Sequence, residues 1–254
     1  MNQLEYAQAN ANADVLNAQA ASAVVLVCEH ASSEIPHEFN SLGLADEHRK
    51  SHAAWDPGAG SVAEHMAARM DAVLVAARVS RLVYDCNRPP EAPDAMPAKS
   101  EIVDIPGNRG LSNARKEERT KRYYHPFRAA VADALAGRPD PVLITVHSFT
   151  PVYHGRRRDV EIGVLHDRDT RLADALIEQA ETSVPHVVRR NEPYGAADGV
   201  THTLREHALP RGILNVMLEV RNDLIADAAA QAKMAGILSD WLTRAIGSAR
   251  AAAC

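Results

Sequence analysis

Cysteine is scarce in this chain of 254 residues, which has three, Cys28, Cys86 and Cys254, and no CxxC pair. A disulfide framework needs a denser and even set of cysteines, so the composition argues against a small disulfide-stabilised scaffold. Sparse cysteines are typical of proteins that work in a reducing compartment. We therefore expect a cytoplasmic protein.

The sequence also lacks the features that direct a chain to membranes or nucleic acid. No Lys or Arg occurs in the first 23 residues, which argues against a signal peptide. No apolar run approaches the roughly 18 to 20 residues of a membrane span. The net charge is −5, so there is no basic excess to bind nucleic acid. We expect neither a nucleic-acid nor a membrane partner, and the oligomeric state stays open.

Aromatic residues make up only 4% of the chain, whereas 46% is hydrophobic and 24% charged. These fractions are ordinary for a globular protein, with a core built from Val, Leu, Ile and Ala. The length is sufficient for one large α/β domain. We predict an N-terminal arm over residues 1–22, peripheral or briefly helical, and a single α/β domain over residues 23–250.

Short β-branched runs alternate with stretches of helical periodicity along this domain. Strands are predicted at 23–29, 141–148 and 160–167, and a further strand within 212–225 runs into a final helix that ends near Gly247. Other helices are predicted at 58–71, 112–137 and 171–181. The Pro- and Gly-rich segment 89–111 is predicted to be a long loop. This order predicts a three-layer α/β/α sandwich with a mainly parallel mixed central sheet.

Unusual polar residues follow the apolar runs. The segments are Glu29-His30, Asp85 to Arg88, His147-Ser148 and Glu219 to Arg221. In open α/β sheets ligands bind at the carboxyl ends of strands, so these segments are expected along one edge. Two histidines and a carboxylate suit a tetrahedral zinc ion with one open position. Glu219 would then be a separate carboxylate able to take a proton, and an arginine would hold a carboxylate substrate.

Less specific interpretations exist for the same residues. A single histidine at a strand end is more often a hydrogen-bonded structural residue than a ligand. From local sequence alone, Asp56 in "WDPGAG" is better explained as the cap of a helix that begins at Pro57. The segment "GAGSVA" fits a dinucleotide-binding pattern, but no strand precedes it, so the required context is missing.

Several motifs together resemble the N-formylglutamate amidohydrolase family, which is akin to zinc carboxypeptidases and aminoacylases. They occur in order between about residues 24 and 225, and include "CEHASSEIP", "WDPGAG", "SRLVYDCNRP", "LITVHSFTPVY", "NEPYG" and "LEVRNDLI". The resemblance implies a zinc-exopeptidase-like fold and a metal-dependent hydrolase. The reaction it implies is cleavage of N-formyl-L-glutamate to formate and L-glutamate.

The resemblance also implies roles for individual residues. The metal, Zn²⁺ or another divalent ion, would be held by His30, His147 and Asp56, with Glu34 as the rival third ligand. Glu219 would be the general base. The carboxylate of the substrate, a small anionic N-acyl amino acid, would be bound by Asn87 and Arg88. Arg109 or Arg221 is the further substrate contact that we expect, at the oxyanion formed during hydrolysis.

Two other functions are compatible with these residues. One keeps the fold and chemistry but changes the substrate to another N-acyl amino acid or a small peptide. The other is a non-catalytic protein that binds a metal or a carboxylate. Glu219 separates this last possibility from an enzyme, since binding alone needs no general base.

Overall fold

A seven-stranded mixed sheet forms the centre of the computed structural model, which describes residues 12–252. The strands of the chain are, in order, β1 (Ala13–Leu16), β2 (Val24–Cys28), β3 (Val73–Ala77), β4 (Lys99–Ser100), β5 (Val103–Asp104), β6 (Val142–Phe149), β7 (Val152–Tyr153), β8 (Arg156–Arg157), β9 (Ile162–Leu165), β10 (Val188–Arg190) and β11 (Leu214–Arg221). The order in the sheet is β1-β3-β2-β6-β11-β9-β10, and the pairs β4–β5 and β7–β8 form two small separate hairpins.

Helices cover both faces of this sheet. They are α1 (Asp46–Arg49), α2 (Ala59–Met70), α3 (Asn113–Arg119), α4 (His125–Ala136), α5 (Arg171–Ser183), α6 (His202–His207) and α7 (Ala228–Ala251). One apolar core lies between the sheet and α2, α5 and α7. A second lies between the other face and α4, α6 and parts of the segment 79–105. The predicted three-layer sandwich is therefore confirmed.

The direction of each strand follows from its connection. The four central strands β3, β2, β6 and β11 are parallel, whereas β9 runs antiparallel to β11. Parallel strands need a long crossover, usually a helix. The connection from β6 to β9 contains only the β7–β8 hairpin and no helix, so β9 returns in the opposite direction. The sheet is thus mixed but mainly parallel at its centre.

The N-terminal segment differs from the predicted peripheral arm in the part that the structure describes. Ala13–Leu16 forms the edge strand β1, which pairs antiparallel with β3. Ala13 and Leu16 are buried, so this strand belongs to the domain. The remainder of the predicted arm, residues 1–11, lies outside the described residues.

The helix predicted over residues 112–137 forms with an internal irregularity. The side chain of Ser112 caps it, accepting a hydrogen bond from the backbone N–H of Arg115. A π-helical turn, Thr120–Tyr124, separates α3 from α4 and ends two residues before Pro126. A proline has no N–H to donate to the preceding turn, and a π-turn is one way in which a helix absorbs such a break.

The final helix does not stop at Gly247, as predicted, but continues to Ala251. Its buried face includes Trp241, Leu242, Ala245, Ile246 and Ala249. The burial of this face outweighs the roughly 1 kcal/mol that a helical glycine costs. Within residues 12–252, none of the helices has the length and hydrophobicity that crossing a lipid bilayer requires.

Candidate metal centre and active-site cavity

Two histidines and an aspartate distant in sequence converge beyond the carboxyl ends of the central strands. His30 follows β2, and His147 lies near the end of β6. Their Nδ1 atoms are 3.2 Å apart, and Asp56 Oδ2 lies 2.8 Å from Nδ1 of His147 and 3.2 Å from Nδ1 of His30. All three side chains are buried. The arrangement offers three ligand atoms to one small volume.

Asp56 reaches this position through the turn that opens α2. Its backbone N–H donates to the carbonyl of His30. Two residues later Gly58, the N-cap of α2, has φ +83°, and a Cβ there would lie 2.6 Å from the carbonyl oxygen of Ile225. The interpretation of Asp56 as the helix cap is therefore wrong. Its carboxylate contacts the two histidines instead of the first turn of the helix.

The far nitrogen of each histidine contacts a second carboxylate. Asp85 Oδ1 lies 2.8 Å from His30 Nε2. Glu29 Oε2 lies 3.1 Å from His147 Nε2, although this contact is poorly aligned for a hydrogen bond. Carboxylates in these positions hold a proton on Nε2 and leave the lone pair of Nδ1 for a metal. Both Nδ1 atoms point toward Asp56, as an ion between them would require.

Buried negative charge exceeds buried positive charge around the cluster. The carboxylates with at most 5% exposure are Glu29, Asp56, Asp85 and Glu219. Arg81 offsets part of this charge: Nη2 lies 2.8 Å from Asp85 Oδ2 and Nη1 lies 3.6 Å from Asp56 Oδ1. A bound cation would offset this excess of negative charge, since burying a carboxylate without enough compensating charge is costly.

The pKa values reflect the same imbalance. Burial alone would raise the pKa of Asp56, but His30 and His147 outweigh it and hold that pKa well below its usual range. Burial likewise opposes the charged form of His147, yet Glu29 and Asp56 raise its pKa well above the usual value. Protons thus supply the positive charge in the metal-free protein. A divalent ion would replace them, and the donor set of two imidazoles and a carboxylate fits zinc and related metals.

Glu219 stands beside this cluster as a carboxylate with a different environment. It pairs with His147 in the parallel register of β11 and β6. Glu219 Oε2 is buried and has no hydrogen-bond partner among the described residues. Burial is the main cause that raises its pKa to about 7, with a further contribution from Asp56. A carboxyl group with such a pKa can both accept and donate a proton near neutral pH.

A cavity of about 410 Å³ opens above these residues. Its lining includes residues expected from the sequence and others that were not: His30, Asp56, Arg81, Asn87, Arg88, His147, Phe149, Thr150, Tyr153, Tyr194 and Glu219. The second hairpin, β7–β8, contributes Tyr153, and the turn between β4 and β5 contributes Glu101. The candidate ligands and Glu219 thus share one cavity large enough for a small molecule.

Arg88 and Asn87 both line the cavity but differ in how many of their hydrogen-bonding groups are already engaged. Arg88 Nε donates to Asp94 Oδ2 at 2.6 Å and Nη1 donates to the carbonyls of Asn87 and Gly199, while Nη2 has no hydrogen bond to a described residue. Asn87 Oδ1 accepts from the N–H of Thr203, which ties Asn87 to the start of α6. Arg88 therefore keeps a donor available, whereas the Asn87 side chain is largely engaged.

Three other predicted residues lie apart from the cavity lining. Arg109 is exposed and pairs with Asp104. Arg221 is buried but binds Glu161 and Asp223, joining the end of β11 to the neighbouring chain. Glu34, the rival metal ligand, is exposed, and Asp56 stands in the cluster in its place. Arg109 and Arg221 do not reach the cavity because each is paired with a carboxylate outside it.

Arg81 and Tyr194 are among the cavity residues that sequence reasoning missed. Arg81 lies four residues before Asp85 in "SRLVYDCNRP", a spacing that allows an ion pair, but this signal is weak on its own. Tyr194 lies in "NEPYG", one of the motifs that carry the resemblance, but its local pattern indicates a loop and assigns no role to the tyrosine. Both became recognisable only when the fold placed them beside the histidines.

Comparison with known proteins agrees with this architecture. The model of the N-formylglutamate amidohydrolase family matches residues 22–226. Gene product Atu2144 from Agrobacterium tumefaciens is 55% identical, with a TM-score of 0.90 over 93% of this chain and 95% of that one. The N-formylglutamate amidohydrolase from Ralstonia eutropha JMP134 shares the fold at 18% identity, with a TM-score of 0.70 over 95% and 99% of the two chains.

Among curated proteins the chain has no significant match. The family match nevertheless spans every residue of the cluster described above, from His30 to Glu219. The chain therefore belongs to the N-formylglutamate amidohydrolase family and is, with that family, a hydrolase of an amide bond.

Proposed function

We propose that this protein is a metal-dependent amidohydrolase that cleaves the amide bond of an N-acyl amino acid. N-formyl-L-glutamate is the first candidate substrate, with formate and L-glutamate as products. One observation carries the proposal: a buried His30–Asp56–His147 cluster faces the same cavity as Glu219, a carboxyl group with a pKa near 7. The family to which the chain belongs supports the reaction class.

The metal would be held by Nδ1 of His30, Nδ1 of His147 and a carboxylate oxygen of Asp56. When bound, a zinc or similar ion polarises a carbonyl group and lowers the pKa of water to about 7. Asp85 contacts the far nitrogen of His30, and Glu29 lies 3.1 Å from the far nitrogen of His147, so these carboxylates would orient the two imidazoles toward a bound metal.

Glu219 performs the proton transfers in this proposal. Its carboxylate accepts a proton from the attacking water and later donates that proton to the nitrogen of the departing amino acid. The parallel pairing of Glu219 with His147 holds the two side chains on the same face of the sheet, next to each other. A pKa near 7 suits a group that must accept and then donate at neutral pH.

Arg88 is the proposed contact for the α-carboxylate of the substrate. Its guanidinium lines the cavity, and Asp94 and two carbonyls fix its orientation while Nη2 remains available. Asn87 is the second candidate, through the N–H of its amide that the carbonyl of Val200 does not use. Arg109 and Arg221 have no place in this proposal, because neither lines the cavity.

The charges in the cavity lining favour a second candidate substrate class, which we test in parallel. The lining contains three further acidic residues, Asp94, Glu101 and Asp198. Both lining arginines, Arg81 and Arg88, already pair with carboxylates. A glutamate side chain would bring a second negative charge into these surroundings. Another N-acyl amino acid, with a neutral or basic side chain, would meet less repulsion.

The test combines metal analysis of the purified protein with a substrate panel. We expect about one divalent ion per chain and hydrolysis of N-formyl-L-glutamate. The panel pairs N-formyl-L-glutamate with N-formyl-L-glutamine, which has the same shape without the second charge, and with N-formyl-L-lysine. Faster hydrolysis of the neutral or basic compounds would favour the second substrate class. No hydrolysis of any member by the metal-loaded protein would contradict the proposed function.

A further inference from the structure

Arg158 lies in an aromatic enclosure behind one wall of the cavity. Its guanidinium carbon is 5.4 Å from the ring centroid of Phe149, 4.5 Å from that of Tyr153 and 5.1 Å from that of Tyr194. Each of these rings also lines the cavity. Cation–π contacts of this kind hold a guanidinium in place more firmly than solvent would. The enclosure therefore positions Arg158 beside the site described above.

Hydrogen bonds to Thr150 and Tyr194 fix the orientation of this guanidinium. Nη1 donates to the carbonyl of Thr150 at 3.1 Å, and Nη2 donates to the hydroxyl oxygen of Tyr194 at 3.1 Å. Thr150 directly follows β6, the strand that carries His147. The orientation of Arg158 is thus tied to the strand that forms the candidate metal centre.

The hydrogen bond from Arg158 determines what the Tyr194 hydroxyl can do. Since the oxygen accepts from Nη2, its own proton must point elsewhere. Among residues 12–252 that proton has no acceptor, and the side chain lines the same cavity as His30, His147 and Glu219. Burial and the negative charge of Glu219 raise the pKa of Tyr194, so the phenol keeps its proton at neutral pH. Tyr194 is therefore a neutral donor with an unused proton at the cavity.

We propose that Tyr194 donates a hydrogen bond to the acyl oxygen of the substrate, an inference that rests on the proposed function. Arg158 is then a positioning residue that orients the Tyr194 hydroxyl. Negative charge develops on this oxygen when water attacks the acyl carbon, and a donor held in advance at that point stabilises the transition state. Arg158 also makes the Tyr194 hydroxyl a stronger hydrogen-bond donor, because a phenol whose oxygen accepts a hydrogen bond from a cation holds its own proton less tightly. Neither residue exchanges a proton with the substrate.

The first experiment compares Tyr194→Phe with Tyr123→Phe in the metal-loaded protein. The hydroxyl of Tyr123 has one hydrogen bond to a described residue, a long one of 3.5 Å to Glu38, and Tyr123 is not among the residues that line the cavity. We expect Tyr194→Phe to lower kcat about 100-fold with KM changed less than about threefold, because the hydrogen bond forms mainly in the transition state. Tyr123→Phe should leave both constants unchanged.

The second experiment separates positioning from structural support. Arg158→Met should lower kcat about tenfold, and Arg158→Lys, which keeps a cationic donor in the enclosure, should recover part of this loss. If Arg158 acts through Tyr194, the double variant should lose no more activity than Tyr194→Phe alone. Additive losses would overturn the positioning role.

A third readout does not depend on activity. The ultraviolet absorbance of tyrosinate, titrated in the metal-free protein with Tyr194→Phe as reference, reports the ionisation of Tyr194. Arg158→Met should shift this ionisation to higher pH, because a neighbouring cation is lost, and an unchanged midpoint would contradict the contact.

The outcomes distinguish the two proposals. An active wild type with a fully active Tyr194→Phe variant overturns only the role of Tyr194. A metal-loaded wild type that hydrolyses no N-acyl amino acid overturns the proposed function and, with it, this role.

Discussion

His147 and Glu219 occupy paired positions on the neighbouring parallel strands β6 and β11, so the strand register itself places a candidate metal ligand next to a candidate base. Residues at paired positions of parallel strands point to the same face of a sheet. The two side chains also differ in environment: His147 contacts Glu29 and Asp56, whereas one oxygen of Glu219 has no partner among the described residues. This difference suits a fixed ligand beside a carboxylate that remains free to react.

The replacement Glu219→Gln tests the base directly. It removes the proton acceptor but keeps the shape, so kcat should fall by about 10² to 10⁴. The three proposed ligands remain, so the metal content should be unchanged. Metal analysis and steady-state kinetics on the same preparation check both expectations. Full activity would leave the protein without its proposed base and would favour a binding function instead.

The pH dependence of the reaction follows from the same carboxyl group. Its pKa is raised to about 7 in the metal-free protein, mainly by burial, and a bound cation would lower it by attraction. Only the carboxylate form accepts a proton, so kcat should increase with pH and level off at or below about pH 7. A pH–rate profile of the wild type measures this limb. A rate that falls as pH rises from 5 to 7 would contradict the assignment.

Removal of a ligand should affect metal retention as well as catalysis. His147→Ala deletes one of two imidazoles, so we expect loss of the bound metal and a decrease in kcat of at least about 100-fold. His65→Ala is the matched control, because His65 lies exposed on α2 away from the cavity lining. Metal content after dialysis and activity are measured for both. Retention of metal and activity by His147→Ala would refute the ligand set.

The carboxylates behind the histidines are expected to tune metal affinity. Asp85→Asn and Glu29→Gln leave the three ligands in place but weaken the orientation of the imidazoles. Metal affinity should fall about 10- to 100-fold in each variant, as for other carboxylates that support ligating histidines. Competition with a chelator of known affinity measures the change. The aligned contact of Asp85 at 2.8 Å predicts the larger effect of the two, and equal affinity to wild type in both would contradict a supporting role.

Several parts of this architecture were predictable because they depend on local patterns. The fully buried runs of β2 and β6 are rich in Val, Leu and Ile, which identifies central strands without any partner being known. The polar residues that end them, His30 and His147, stand out for the same reason. The Ser112 cap is likewise encoded within a few residues.

Other parts depend on contacts between distant segments and could not be read from local sequence. Glu29 and His30 are neighbours in the chain, yet Glu29 contacts His147 while His30 contacts Asp85 and Asp56. Arg109 looked available for a substrate, but its partner Asp104 lies five residues earlier on a hairpin that only the fold defines. Local patterns identify reactive residue types, whereas the fold determines which of them meet.

The turn at Gly58 offers a test of how backbone geometry supports the candidate site. Gly58→Ala would place a Cβ at positive φ and 2.6 Å from the Ile225 carbonyl, so we expect a loss of about 1 to 3 kcal/mol in the free energy of unfolding. Metal affinity should also fall, because Asp56 lies on the same turn.

Gly236→Ala is the control for this substitution, and we expect it to change the stability in the opposite direction. Gly236 lies inside α7, and a Cβ there meets nothing within 4 Å. Replacing it should stabilise the protein by up to about 1 kcal/mol, since alanine favours a helix more than glycine does. Urea unfolding of both variants and of the wild type measures whether each substitution lowers or raises the free energy of unfolding. A neutral Gly58→Ala would show that the turn tolerates a side chain.

The position of β11 between β6 and β9 has a consequence for biosynthesis. A nascent chain that has just passed α6 already contains both histidines and Asp56, but β6 still has one unpaired edge where β11 belongs. Open edges of this kind invite pairing with other chains. Completion of the sheet around β6 therefore requires β11, which both closes that edge and supplies Glu219.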